Sequence, residues 1–253
     1  MSMSVTQNKD RLSAWQVESL RLTCFPSSAT EFNSANWYQD IVGEQPENTI
    51  IRARDNFRQD EGVVNGQKII LGVQPMRIDW LMKANEEKGE FLIGSFQDGL
   101  ASFLELMSRW FKISPSLRRL AFGAILALPV DDRKSGYKLI SNYLPNIKLD
   151  PIGSSDFLYQ INRARNSRLD ISELEINRLS KWSVAKQGLA RIDILPETRI
   201  SVFPSSDTFS CRLELDINTL GEYKNDISSE KLDDVFHELV DLAKEISIKG
   251  DIP

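Results

Sequence analysis

Residues 17–25 alternate, with Leu20, Leu22 and Cys24 on one side and Arg21 and Thr23 on the other, the two-residue period of a half-buried strand that Pro26 ends. Trp37, Tyr38 and Ile41 mark a short helical turn stopped by Gly43, and residues 49–57 read as a second strand. In 63–70 the pair Asn65-Gly66 lies between β-forming residues and supplies the positive φ angles of a two-residue type I′ turn, which predicts a hairpin. Residues 74–84 place Met76, Ile78, Trp80 and Met82 on one side and Arg77, Asp79 and Lys83 on the other, with Pro75 at the start of the strand. From Ser95 the period becomes helical: Phe96, Leu100, Phe103, Leu104, Met107, Trp110 and Phe111 recur at three- and four-residue steps and form a broad apolar stripe.

The second half of the chain begins with an apolar run at 120–128, in which residues of both parities are apolar or small, as expected of a central strand covered on both faces. A helix over 132–144 is stopped by Pro145. Strand character follows at 157–161, 169–176, 181–185, 190–195 and 199–203. Phe209, Cys211, Leu213, Leu215 and Ile217 then alternate with polar partners, and a last helix over 229–248 turns Leu232, Val235, Phe236, Leu239, Leu242, Ala243 and Ile246 inward before Gly250. These elements predict an α+β protein with a large, mostly antiparallel sheet backed by amphipathic helices. The order strand, helix, strands, helix occurs twice, which suggests two related halves, 1–113 and 114–253, joined in one compact unit.

Four segments stand out within this pattern: Glu18-Ser19-Leu20-Arg21-Leu22, Arg77-Ile78-Asp79-Trp80, Leu213-Glu214-Leu215-Asp216-Ile217, and the closing helix with Leu232, Phe236-His237 and Leu239. Together they resemble an uncharacterised, sporadically distributed bacterial protein family of similar length. The resemblance implies no activity; the scattered occurrence of that family implies mobile or defence-type gene neighbourhoods.

With 41 % apolar and 26 % charged residues and a formal charge of -5, the composition is that of an ordinary globular protein, without the basic excess that wraps nucleic acid or docks on an anionic bilayer. The longest apolar stretch, 120–130, falls short of the roughly 20 residues of a membrane-spanning helix. Residues 1–10 are polar, unlike a signal peptide, and two widely separated cysteines make no disulfide framework, so a cytoplasmic setting is expected.

Candidate chemistry is sparse. His237 is the only histidine, and it falls on the polar side of its helix with no second histidine four residues on, so no zinc motif forms. Cys24 and Cys211 lie on apolar strand faces, where a small buried hydrophobe is expected. No glycine-rich phosphate loop occurs, and nothing implies a cofactor.

Three functional readings follow. The first is a non-enzymatic interaction or accessory protein whose strand edges or charged faces engage a protein partner or a second copy. A second is nucleic-acid binding through residues 162–191, where Arg163, Arg165, Arg168, Arg178, Lys181 and Lys186 accompany Tyr159 and Trp182 as stacking aromatics. That segment has seven basic residues against three acids, while 205–253 has twelve acids against five bases, so the two regions are also suited to pair with each other. The third is a metal-dependent hydrolase in which Asp79, Glu214 and Asp216, on outward strand positions, converge on Mg²⁺.

Overall fold

The computed structural model describes residues 11–31, 36–86, 90–187, 190–194, 200–204 and 208–252, with backbone only from 187 to 208. The first strand among the described residues lies at the centre of the sheet. Strand β1 (Gln16–Pro26) leads through the short helix α1 (Trp37–Val42) to the far edge, and the chain then meanders back through β2 (Asn48–Arg52), β3 (Phe57–Val64), β4 (Gln67–Gln74) and β5 (Arg77–Ala84) to pair with β1. Helix α2 (Phe96–Phe111) crosses one face and delivers β6 (Leu117–Val130) to the other side of β1. The second half repeats the excursion: α3 (Arg133–Ser141), β7 (Leu158–Asn162), the two-residue β8 (Arg165–Asn166), β9 (Glu175–Gln187), a separate hairpin of β10 (Ala190–Ile194) and β11 (Ile200–Pro204), and β12 (Thr208–Thr219) against β6. Helix α4 (Leu232–Lys249) closes the layer beside α2.

The main sheet runs β2-β3-β4-β5-β1-β6-β12-β9-β7, with β8 beside β9, and each of its pairings is antiparallel. This is the α+β architecture that the patterning predicts. Both halves follow the order strand, helix, three strands, helix, the first with β2 added and the second with β8, β10 and β11, and they meet along β1 and β6, where Leu22 faces Phe122.

Local chemistry explains the main boundaries. Asn65 and Gly66 adopt φ of 50° and 80°, the left-handed geometry a tight hairpin requires, and set Val64 opposite Gln67. Ser95 caps α2 by accepting from the Asp98 backbone N–H, and Asp132 caps α3 through Ser135. The apolar stripes of α2 and α4 meet over β6, where Phe103, Phe122 and Phe236 stack edge to face or tilted at centroid distances of 5.9–6.5 Å. That aromatic knot joins the two halves in one core.

Several expectations need correction. Phe57 opens β3 instead of closing β2, because a 3₁₀ turn over Ala53–Asp55 intervenes. Met76 sits with Pro75 in the turn between β4 and β5 and is 49 % exposed, since the hairpin consumes it before the alternating run begins. Residues 169–174 form turns, and only from Glu175 does the chain enter β9. The strands expected at 190–195 and 199–203 each include one residue, Leu195 and Arg199, that lies outside the described ones. Strand β6 carries helices on one face only. Its other face reads as covered because Ala121 and Gly123 are small enough to be shielded by longer neighbours such as Arg21.

Candidate functional site

The basic segment is tied to the acidic carboxyl-terminal helix. Arg163 makes a two-pronged pair with Asp251, Nε to Oδ1 at 2.5 Å and Nη2 to Oδ2 at 2.9 Å, and the Tyr159 hydroxyl donates to the same carboxylate at 2.7 Å. Arg165 and Arg168 lie 3.5 and 3.6 Å from Glu245. Glu238 accepts from the Ser167 hydroxyl and the Arg168 backbone N–H. Lys181 spans both oxygens of Glu214 at 3.1 Å. Asp251 is held below the usual carboxylate range, chiefly by the hydrogen bond from Arg163. Burial pushes Glu245 up, yet it too ends low because the Lys249 hydrogen bond and the charges of Lys249, Arg165 and Arg178 outweigh that effect.

Two residues of the nucleic-acid reading are not available at the surface. Trp182 is fully buried, packed against Trp15 and Tyr143, and offers no ring to a base. Arg178 is 2 % exposed and turned into the core side of β9. Lys186 is exposed at the end of β9, and only the backbone of Arg191 is described. Asp251 and Glu245 thus engage Arg163, Tyr159 and Arg165, while the Arg168 side chain stays 62 % exposed.

Arg178 is the exception within this cluster. Its Nε and Nη1 have no hydrogen-bond partner although they are buried. Desolvation lowers its pKa first, and the neighbouring Arg165, Arg163 and Arg168 lower it further against the pull of Glu245.

Among the described residues the opposite face of the sheet carries no helix and is largely polar. Across its centre the register sets Leu81, Arg21, Gly123, Asp216 and Leu179 in one row, and Lys83, Ser19, Ile125, Glu214 and Lys181 in the next. The small residues of β1 and β6 leave a groove of about 510 Å³ along the junction of the halves. Arg21 lies across its floor: a Cβ on Gly123 would stand 3.4 Å from Nε and Nη2 of the guanidinium.

The three acids of the metal reading do not converge. Glu214 and Asp216 share a face of β12, whereas Asp79 is on β5, three strands away, so the reading fails on distance. Each acid is also engaged: Asp79 by Arg77 Nε at 2.6 Å and the Thr23 hydroxyl, Glu214 by Lys181, and Asp216 by the Asn218 amide. Among the described residues no three histidine, cysteine or acidic side chains gather closely enough to hold a metal.

His237 is on the surface, its Nδ1 2.9 Å from the Asp233 carbonyl oxygen one turn back. Cys24 and Cys211 are buried, and burial pushes both thiols up to about 12, which makes them inert at neutral pH. No helix among the described residues is long and apolar enough to cross a membrane. No protein family, curated protein or solved structure matches this chain.

One edge of the sheet is exposed on both faces. All five residues of β2 are exposed, Ile50 at 42 % and Ile51 at 53 %, because the helix layer stops short of this strand and β3 pairs with only one of its sides. The flanking residues carry opposite charges, Glu44 and Glu47 before the strand and Arg52 and Arg54 at and beyond its end.

Sequence reasoning did not single out Arg21, Gly123 or the particular strand edge at β2. Arg21 carried a signal, as an arginine on the outward side of a strand; Gly123 was hidden in an apolar run.

Proposed function

We propose that this chain is a non-enzymatic interaction protein that associates through the free edge of β2, pairing antiparallel with the same strand of a second copy. The observation that carries the reading is the exposure of every β2 residue at an edge whose outer backbone groups face no neighbouring strand among the described residues. A two-fold pairing centred on Ile50 sets Asn48 opposite Arg52 and brings Glu44 and Glu47 of each copy beside Arg52 and Arg54 of the other, so the edge is self-complementary in charge. Five residues bury less than the roughly 1,200 Å² of stable interfaces, so the association is reversible and depends on concentration.

Sedimentation velocity over a concentration series tests it. The expected result is a monomer–dimer equilibrium abolished by Ile50→Lys and weakened by added salt, with the melting temperature of the variant unchanged. A wild-type chain that stays monomeric throughout the series, or a dimer indifferent to Ile50→Lys, refutes the pairing.

A further inference from the structure

The groove on the bare face holds a cation and a carboxylate that do not pair with each other. Among the described residues Arg21 has no hydrogen-bond or ion-pair partner, and its guanidinium lies over Gly123. Asp216 faces the same glycine from the other side, accepts from the Asn218 amide and lies within the electrostatic reach of Arg77, which itself pairs with Asp79. Cation and carboxylate therefore approach over one bare backbone position without closing into a salt bridge. Leu81, Ile125 and Leu179 line the groove around them, and Ser19 and Gln160 add neutral polar atoms. The other charged residues of the groove, Lys181 and Glu214, neutralise each other.

We infer that this groove binds a small zwitterion with an apolar side chain, an α-amino acid or a short peptide, its carboxylate on Arg21, its ammonium on Asp216 and its side chain against Leu81, Ile125 and Leu179. The chemistry follows from the arrangement. A planar guanidinium takes a carboxylate by two parallel hydrogen bonds, whereas a phosphate would meet the carboxylate of Asp216. A simple amine would leave Arg21 unmatched and an apolar molecule would leave both charges so. The volume of about 510 Å³ lies within the range of small-molecule sites and exceeds the needs of a single amino acid, so the groove has space for a dipeptide. Gly123 keeps the floor open: a Cβ there would already touch the guanidinium at 3.4 Å, and a side chain longer than a methyl group would crowd it. The inference is independent of pairing at β2, which lies four strands from β1.

Isothermal titration of the full chain at low ionic strength with L-leucine, L-leucyl-L-leucine and neutral N-acetyl-L-leucinamide tests it. Binding of either zwitterion but not of the capped amide is expected, and the stronger of the two identifies the source as free amino acid or peptide. Arg21→Met and Asp216→Asn should each weaken binding by about tenfold or more, the loss of one charged hydrogen-bonding partner. Gly123→Leu should abolish it with both charges retained. Melting curves confirm that each variant is folded; a variant that fails to fold is replaced by Arg21→Gln or Asp216→Ser. No binding of either zwitterion up to about 10 mM overturns the inference. So does binding that the capped amide matches or that the charge variants leave intact.

Discussion

Replacing Arg178 with methionine should stabilise this protein. The side chain is 2 % exposed, and two of its nitrogens, Nε and Nη1, find no acceptor. Each buried donor left unsatisfied costs about 1–3 kcal/mol, and the desolvated charge adds to that. Arg163, Arg165 and Arg168 repel it, and Glu245 alone among the cited neighbours attracts it. Glu245 does not depend on Arg178, since it also pairs with Lys249, Arg165 and Arg168. Methionine retains an unbranched apolar stem and removes the charge and its donors. We expect a gain of about 1–3 kcal/mol, after the loss of attraction to Glu245, and a rise in Tm of about 2–10 °C for a chain of this size. Urea denaturation with unchanged m, alongside thermal melting, measures it.

The pH dependence has a definite sign. Folding lowers the pKa of Arg178, so the folded state binds its proton less tightly than the unfolded chain, and the penalty is fully present below the lowered value and relaxes only as pH rises through it. The difference between variant and wild type should therefore be flat from about pH 6 to about pH 9. A destabilisation of more than about 1 kcal/mol would refute the reasoning, because it would mean that Arg178 holds its surroundings together through partners the unsatisfied nitrogens deny.

Three further substitutions, two just past the carboxyl-terminal helix and one at the end of α1, have defined outcomes. Asp251→Asn breaks the pair with Arg163 and should cost about 2 kcal/mol in denaturant titration, less than a fully buried pair because the arginine stays partly exposed. As folding lowers the Asp251 pKa, this stability is complete above the ordinary carboxylate pKa and is lost as pH falls through the folded value, so the variant should show a shallower acid limb. Gly250→Ala should destabilise by more than about 3 kcal/mol, since φ is +80° and the added Cβ would stand 1.9 Å from the Tyr143 carbonyl oxygen. Gly43→Ala, at φ +89° with nothing within 4 Å, should cost only about 1 kcal/mol of strain, and equal losses at the two sites would discredit the clash as the cause.

What the sequence determined by itself is everything that depends on neighbours in the chain. Alternation at Leu20, Leu22 and Cys24 and at Leu213, Leu215 and Ile217 sufficed to locate β1 and β12, because a strand with one buried face must repeat every two residues. Asn65-Gly66 fixed a turn by φ alone, and the stripes of Phe96–Phe111 and Leu232–Lys249 fixed two helices and the face that each buries. Burial of the cysteines and exposure of His237 were legible for the same reason.

What only the tertiary structure decided is which distant residues meet. The excess of bases in 162–191 and of acids near the carboxyl terminus was visible, but that Asp251 receives Arg163 depends on α4 ending beside β7, 88 residues away in sequence. Asp79 and Asp216 look alike as outward acids, yet the strand order puts β1 and β6 between their strands, and no local pattern encodes that order. Gly123 reads as one more small residue in an apolar run until the register sets it between Arg21 and Asp216. Side-chain periodicity is a property of one strand; sheet order and register arise from the packing of all strands against a shared helix layer, and the free edge and the groove exist only at that level.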